Sequence, residues 1–129
     1  MLKPSDLSQC FINGQWQGAT DGAEFQVINP ATQTSIAAVA DCGPIETLQA
    51  IKHADLAFKQ WRKTTAAARA KTLLRWRQLI IDHQQELAEL ITLECGKPIA
   101  ESEREVLYAA SFIEWFTEEA KRVHGDLIP

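Results

Sequence analysis

Long hydrophobic runs are missing from this 129-residue chain. No apolar stretch approaches the roughly 18 residues that cross a bilayer, so no membrane segment is expected. The opening Met1-Leu2-Lys3-Pro4-Ser5-Asp6-Leu7 lacks the apolar core of a secretion signal. Cysteine is scarce. Cys10, Cys42 and Cys95 are odd in number and widely spaced, which does not read as a disulfide framework and points to a reducing cytoplasm. An excess of basic charge is also absent. Thirteen basic and seventeen acidic residues leave a net charge of -4, which argues against a nucleic-acid partner or a polybasic membrane anchor. Apolar residues, by contrast, are not in short supply. At 46% apolar and 23% charged the chain has the make-up of a folded protein, and its length suits one domain.

Several chemical signatures are absent as well. His53, His83 and His124 stand far from one another and from any cysteine, and there is no C-x-x-C, so no metal cluster is expected from spacing. Gly96-Lys97 fails as a phosphate-binding loop, because Ile91 replaces its first glycine and Pro98 its hydroxyl residue. No G-x-G-x-x-G is present. Cys95 falls at a predicted helix C-terminus, where the negative end of the helix is a poor setting for a thiolate nucleophile. Glu114 and Glu118 share a helix face and are expected to be solvated. The basic stretch from Arg62 to Arg77 is expected to pair with the acidic last helix.

What is present is a clear change of pattern along the chain. Phe11-Ile12-Asn13-Gly14-Gln15-Trp16 sets Asn-Gly between apolar pairs, the mark of a tight hairpin. Asp21-Gly22 signals a second turn. Phe25-Gln26-Val27-Ile28 and Ser35-Ile36-Ala37-Ala38-Val39 read as strands joined by Asn29 to Thr34, with Pro30 barred from a ladder. After Gly43-Pro44 the period becomes helical, through Ile45, Leu48, Ile51, Ala54, Phe58 and Trp61. Thr64-Thr65 caps a second helix whose apolar face runs through Ala70, Leu73, Leu74 and Ile80-Ile81. Asp82-His83-Gln84-Gln85 reads as a capping box with Asp82 as cap, starting a third helix that Gly96 and Pro98 end. Pro98 opens a last helix that Gly125 would close, a rod of about 40 Å. Its expected core face is Ile99, Val106, Ala109-Ala110, Ile113, Phe116, Ala120 and Val123, with a second stripe of Tyr108, Phe112 and Trp115 at an angle to it. Such breadth of apolar surface suggests burial against something larger than this chain. The residues alone show no complete catalytic constellation.

Taken in order, Phe11-Ile12-Asn13-Gly14-Gln15-Trp16, Val27-Ile28-Asn29-Pro30-Ala31-Thr32, Ala57-Phe58 through Trp61, Arg69 to Leu74 and Thr92-Leu93-Glu94-Cys95-Gly96-Lys97-Pro98 resemble the opening of an aldehyde dehydrogenase. Tyr108 to Phe116, continuing through Glu118-Glu119-Ala120-Lys121-Arg122 to Gly125-Asp126, is similar to the succinate-semialdehyde branch of that family. The resemblance implies an α/β fold in the full family, with a cofactor-binding domain, a catalytic domain and an oligomerisation hairpin. This chain would be its N-terminal part, mainly α-helical with N-terminal β-hairpins. Residues 1–43 would form the hairpin region, and 44–129 a helical layer of an incomplete cofactor-binding domain.

In the family a cysteine thiolate attacks the aldehyde, hydride passes to NAD or NADP, and a glutamate activates water to hydrolyse the thioester. The resemblance places none of those groups on this chain, so no catalytic or cofactor-binding residue is expected and the chain alone would be inactive. It implies two peripheral roles. The carbonyls of Val27 and Ile28 with the carboxylate of Glu94 would contribute to a structural monovalent cation site, and Tyr108, Phe112 and Trp115 would line the substrate entrance. The implied partners are the remainder of the enzyme or other subunits, and exposed helix faces would drive self-association. A free-standing helical interaction module derived from such a gene is the alternative.

Overall fold

The computed structural model describes residues 8–128. β1 (Cys10–Ile12) and β2 (Gln15–Gln17) form an antiparallel pair in which Phe11 faces Trp16. Asn13 and Gly14 both take positive φ, 53° and 77°, as a two-residue hairpin turn matching strand twist demands. The two rings meet at a tilt of 56°, their centroids 5.0 Å apart. The Asp21 carboxylate then accepts from the Ala23 amide at 2.9 Å and sets the next turn.

β3 (Glu24–Ile28) and β4 (Ser35–Ala40) make a second antiparallel pair, with a register shift between Val27 and Ile28. In the loop between them the Asn29 side chain accepts from the amides of Ala31 and Thr32, at 2.9 and 3.2 Å. Each strand runs one residue beyond the sequence expectation, β3 at its start and β4 at its end.

Four helices follow: α1 (Pro44–Trp61), α2 (Ala66–Asp82), α3 (Gln84–Cys95) and α4 (Ile99–Glu119). Pro44 occupies the first turn of α1, and the Thr65 hydroxyl accepts from the Ala68 amide at 3.2 Å to cap α2. Glu46 is a double anchor. Its carboxylate accepts from the Gly43 amide at 2.9 Å and from the Thr20 amide at 2.8 Å, fastening the start of α1 to the turn before β3.

The core lies where α2 and α3 pack on α4. Its fully buried residues are small: Ala70, Ala88, Val106, Ala110, Ser102 and Thr117. On α4 the buried stripe is Ser102, Val106, Ala110 and Thr117, with Ile113 half-buried. The expected face was broader and more aliphatic. Phe116 is 62% exposed and Val123 85% exposed, while Ser102 and Thr117 take the interior positions. Short side chains allow the helix axes to approach closely, and the hydroxyls satisfy themselves. Ser102 Oγ and Thr92 Oγ1 share a hydrogen bond of 2.8 Å, and Thr117 Oγ1 donates to the Ile113 carbonyl at 2.5 Å.

Two helix ends differ from expectation. The proposed Asp82 cap does not form: Asp82 accepts from Gln78 Nε2 at 2.8 Å, and Gln85 donates to Glu89. The N-cap is His83, whose Nδ1 lies 3.0 Å from Glu86 Oε2 at the third helical position. No side-chain cap bond forms at this helix start. α4 stops at Glu119, well before Gly125, and is about 32 Å long rather than 40. Lys121 and Arg122 amides close tighter bonds on the Glu118 and Glu119 carbonyls, and their side chains pair with the same two glutamates.

Candidate functional site

An open concavity of about 740 Å³ lies on the outer side of α4. Tyr108 and Phe112 meet edge to face at 4.7 Å, and Trp115 continues the same wall. All three are well exposed, Tyr108 at 65% and Trp115 at 64%. Glu114, Glu118 and Arg122 form its charged rim. The helix spacing thus brings the three expected aromatics onto one wall.

α1 carries a second bare apolar face. Ile45, Leu48, Ile51, Phe58 and Trp61 are 40–66% exposed, although the sequence period marks them as a core stripe. What α1 turns inward is Glu46, with Ala50 and His53 half-buried toward the β1–β2 hairpin. The helix is correctly periodic, yet the large side chains of its periodic face stay 40–66% exposed.

Val27 is half-buried in β3, Ile28 is more open, and Glu94 lies exposed on the last turn of α3. The segments that carry them abut. Gly96 ends α3 with φ 71°, and a Cβ built there would stand 2.9 Å from Pro30 Cγ. No group of three or more His, Cys, Asp or Glu side chains converges among the described residues.

The remaining reactive groups are engaged locally. Arg77 Nη2 donates to Glu114 Oε2 at 3.0 Å, the cross-helix pair expected of the basic stretch, whereas Arg69 turns back to the Thr64 carbonyl and Arg62 lies over the Phe58 ring. Such a half-exposed pair is worth about 0–1 kcal/mol. Lys97 pairs with Glu105, which raises the lysine above its ordinary range. Cys95 is exposed at the α3 terminus. The influence of Cys10, widely separated from it in sequence, is the main cause pushing the Cys42 thiol up to about 11, with burial second.

A nicotinamide dinucleotide needs free N–H groups at a helix start beside a strand end. The strand-to-helix passage from β4 to α1 does not offer them. Pro44 lacks an N–H, and the Glu46 carboxylate already occupies the amide of Gly43. These residues do not fit the cofactor.

The sequence profile of the aldehyde dehydrogenase family matches residues 16–129. The chain belongs to this family. It is 51% identical over 130 residues to a glutarate-semialdehyde dehydrogenase of Pseudomonas putida, covering 99% of this chain and 27% of that enzyme. It is 49% identical to an NADP-named succinate-semialdehyde dehydrogenase of Escherichia coli, again over 99% of this chain and 27% of the relative. Among solved structures, a succinate-semialdehyde dehydrogenase from Burkholderia pseudomallei superposes with a TM-score of 0.91 at 49% identity, covering 94% of this chain and 25% of that one. The chain therefore spans about a quarter of the length of the relatives it matches. The aldehyde dehydrogenase resemblance and the mainly helical fold with N-terminal hairpins both stand. No helix among the described residues is long and apolar enough to cross a membrane.

Sequence reading did not single out Glu46, although a glutamate three residues after Gly43 and just behind a proline is a helix-start signal. The Thr20 side chain first, and then the backbone amides of Thr20, Glu46 and Gly43, hold the carboxyl down at about 2. The folded carboxyl is thus more acidic than its ordinary value of 4.5. Its contribution to stability is present above that value and is lost as pH falls toward 2. Thermal melts of the wild type and Glu46→Gln are expected to differ at neutral pH and to converge between about pH 4.5 and 2. Curves that keep a constant separation down to pH 2 would show that the anionic form of Glu46 contributes nothing.

Proposed function

We propose that these residues form the N-terminal part of an NAD(P)-dependent dehydrogenase that oxidises a semialdehyde bearing a distal carboxylate, of the succinate or glutarate type. The observation that carries this reading is the identity of about one half, across nearly the whole chain, to enzymes named for both semialdehydes. The bare faces of α1 and α4 support it, because each large apolar side chain left in water forgoes roughly 1.5–3 kcal/mol of burial. They are the surfaces that the rest of such an enzyme would cover. Tyr108, Phe112 and Trp115 would wall the approach of the aldehyde. The Val27 and Ile28 carbonyls and Glu94 would lend oxygen ligands to a monovalent cation. The hydride acceptor and the thiolate nucleophile would be held by other parts of the enzyme, a reading supported by the start of α1, where Pro44 and Glu46 leave no free amide cradle.

The reading is tested with the pure chain, succinate or glutarate semialdehyde, and NAD+ or NADP+. No rise in absorbance from reduced cofactor is expected from the chain alone. Turnover is expected once it is combined with the complementary remainder of the Pseudomonas putida relative. Steady turnover by residues 1–129 by themselves would contradict the assignment of the chemistry to other parts.

The same faces lead to a further expectation of self-association when the chain is alone in solution. Sedimentation velocity is expected to show a weight-average mass that climbs with concentration, and Phe112→Asp with Trp115→Asp is expected to reduce that climb. A single monomer species at every concentration would remove self-association from the reading.

A further inference from the structure

Asn13 and Asn29 each lie in the loop of a strand pair, ahead of Gly14 and Pro30, and Asp21-Gly22 lies in the turn between the two pairs. A backbone amide that follows such a side chain can attack its carbonyl carbon and close a cyclic imide, provided that both groups are free. At two of these places they are not. Pro30 carries no N–H, and the Asn29 side chain accepts from the amides of Ala31 and Thr32 at 2.9 and 3.2 Å. The Gly22 amide donates to the Ala19 carbonyl at 2.9 Å, and the Asp21 carboxylate accepts from the Ala23 amide at 2.9 Å. At Asn13-Gly14 neither group is taken. Among the described residues the Gly14 amide donates to no carbonyl, and the Asn13 side chain makes no hydrogen bond. Both residues are exposed, and a Cβ built on Gly14 would meet nothing within 4 Å. The turn stands on two strands of three residues each, and so short a hairpin frays. Fraying frees Asn13 from its turn φ of 53° and lets the Gly14 amide reach the side chain.

We propose that Asn13 is a site of spontaneous deamidation and that its isoaspartyl product opens the first hairpin. Water is the co-reactant. The Gly14 nitrogen gives its proton to solvent base and bonds to Asn13 Cγ. The bond from Cγ to the side-chain nitrogen breaks, and ammonia leaves with a proton taken from solvent. The cyclic imide then adds water. Cleavage between Cγ and the Gly14 nitrogen gives aspartate. Cleavage between the Asn13 backbone carbonyl carbon and the same nitrogen gives isoaspartate, whose main chain runs through Cγ and is one carbon longer. No electrons are transferred; side-chain amide and water become carboxylate and ammonium. A two-residue turn holds its strands in register through the positive φ of both residues, 53° and 77° here. The added backbone carbon breaks that closure, and with it the facing of Phe11 with Trp16 and of Ile12 with Gln15.

The test is ageing of the full chain in warm, mildly alkaline buffer, followed by peptide mapping. Trypsin leaves both asparagines on one peptide, because no Lys or Arg lies between Lys3 and Lys52. A protease cutting after Glu24 separates them. The expected result is an oxygen-for-NH mass change on the Asn13 peptide, exceeding that on the Asn29 peptide by at least about tenfold, since Pro30 lacks the attacking N–H. That peptide is expected to accept methyl groups from an isoaspartyl methyltransferase, with fragmentation placing the isoaspartate at Asn13 and not at Asp21. Backbone hydrogen exchange across residues 10–17 is expected to be faster in the isoaspartyl form than in Asn13→Asp, which carries the same charge on an unaltered main chain. Should Asn13→Asp not fold, exchange in the aged wild type against the fresh wild type decides. An intact Asn13, conversion of Asn29 at the same rate, or isoaspartate at Asp21 in equal yield would overturn the site. Exchange unchanged by the isoaspartyl linkage would overturn the opening of the hairpin.

Discussion

Gly96→Val is expected to lower the thermal midpoint by roughly 8–20 °C, at about 4 °C per kcal/mol for a chain of this size. Two independent costs add. Gly96 sits at φ 71°, where an L side chain crowds the following carbonyl, at about 1–2 kcal/mol. The new Cβ would also stand 2.9 Å from Pro30 Cγ, in a ring that cannot swing aside, and forced overpacking costs about 1–3 kcal/mol more. Circular dichroism melts of three variants separate the terms. Gly96→Asn retains the clash but tolerates the left-handed backbone, so it is expected to lose less. Pro30→Ala combined with Gly96→Val relieves the clash alone and is expected to recover part of the loss. A Gly96→Val protein melting within about 2 °C of wild type, well short of either cost, would mean that this junction is not under the constraint described.

Ser102→Leu is expected to be comparably damaging, by about 2–4 kcal/mol. Ser102 is fully buried between α3 and α4, and its hydroxyl meets Thr92 at 2.8 Å. Leucine would wedge the two helices apart and strip Thr92 of its partner. Ser102→Ala removes the hydrogen bond without adding bulk and is expected to cost only about 1 kcal/mol. Urea titrations of the two variants give the ranking. Equal losses would mean that the hydrogen bond, and not the close approach of the helices, sets the stability there.

Much of the fold was legible because its signals are local. Asn13-Gly14, Pro44, Thr65 and Gly96 each fix a few dihedrals by their own stereochemistry, and each acts where the sequence places it. The packing face of α4 was less legible. A hydrophobicity pattern rewards Phe116 and Val123, whereas close helix packing selected Ser102, Ala110 and Thr117. Size and hydroxyl satisfaction, not apolarity, decided those positions. The capping box read after α2 does not form because Asp82 and Gln85 each bond along their own helix, to Gln78 and Glu89. The aromatic wall of α4 followed from helical spacing.

The order of elements has a consequence for how the chain is made. Each strand pair closes through its own short turn, and α2, α3 and α4 are consecutive. Most of the architecture therefore comes from neighbours in sequence, which lose little loop entropy in meeting. A ribosome releasing this chain would let the hairpins close before the helices exist. The contact of Pro30 with the Gly96 turn spans the longest gap described and would be among the last to close. During synthesis the early strands must wait, with their edges unpaired, for the junction that finally holds them to the helices.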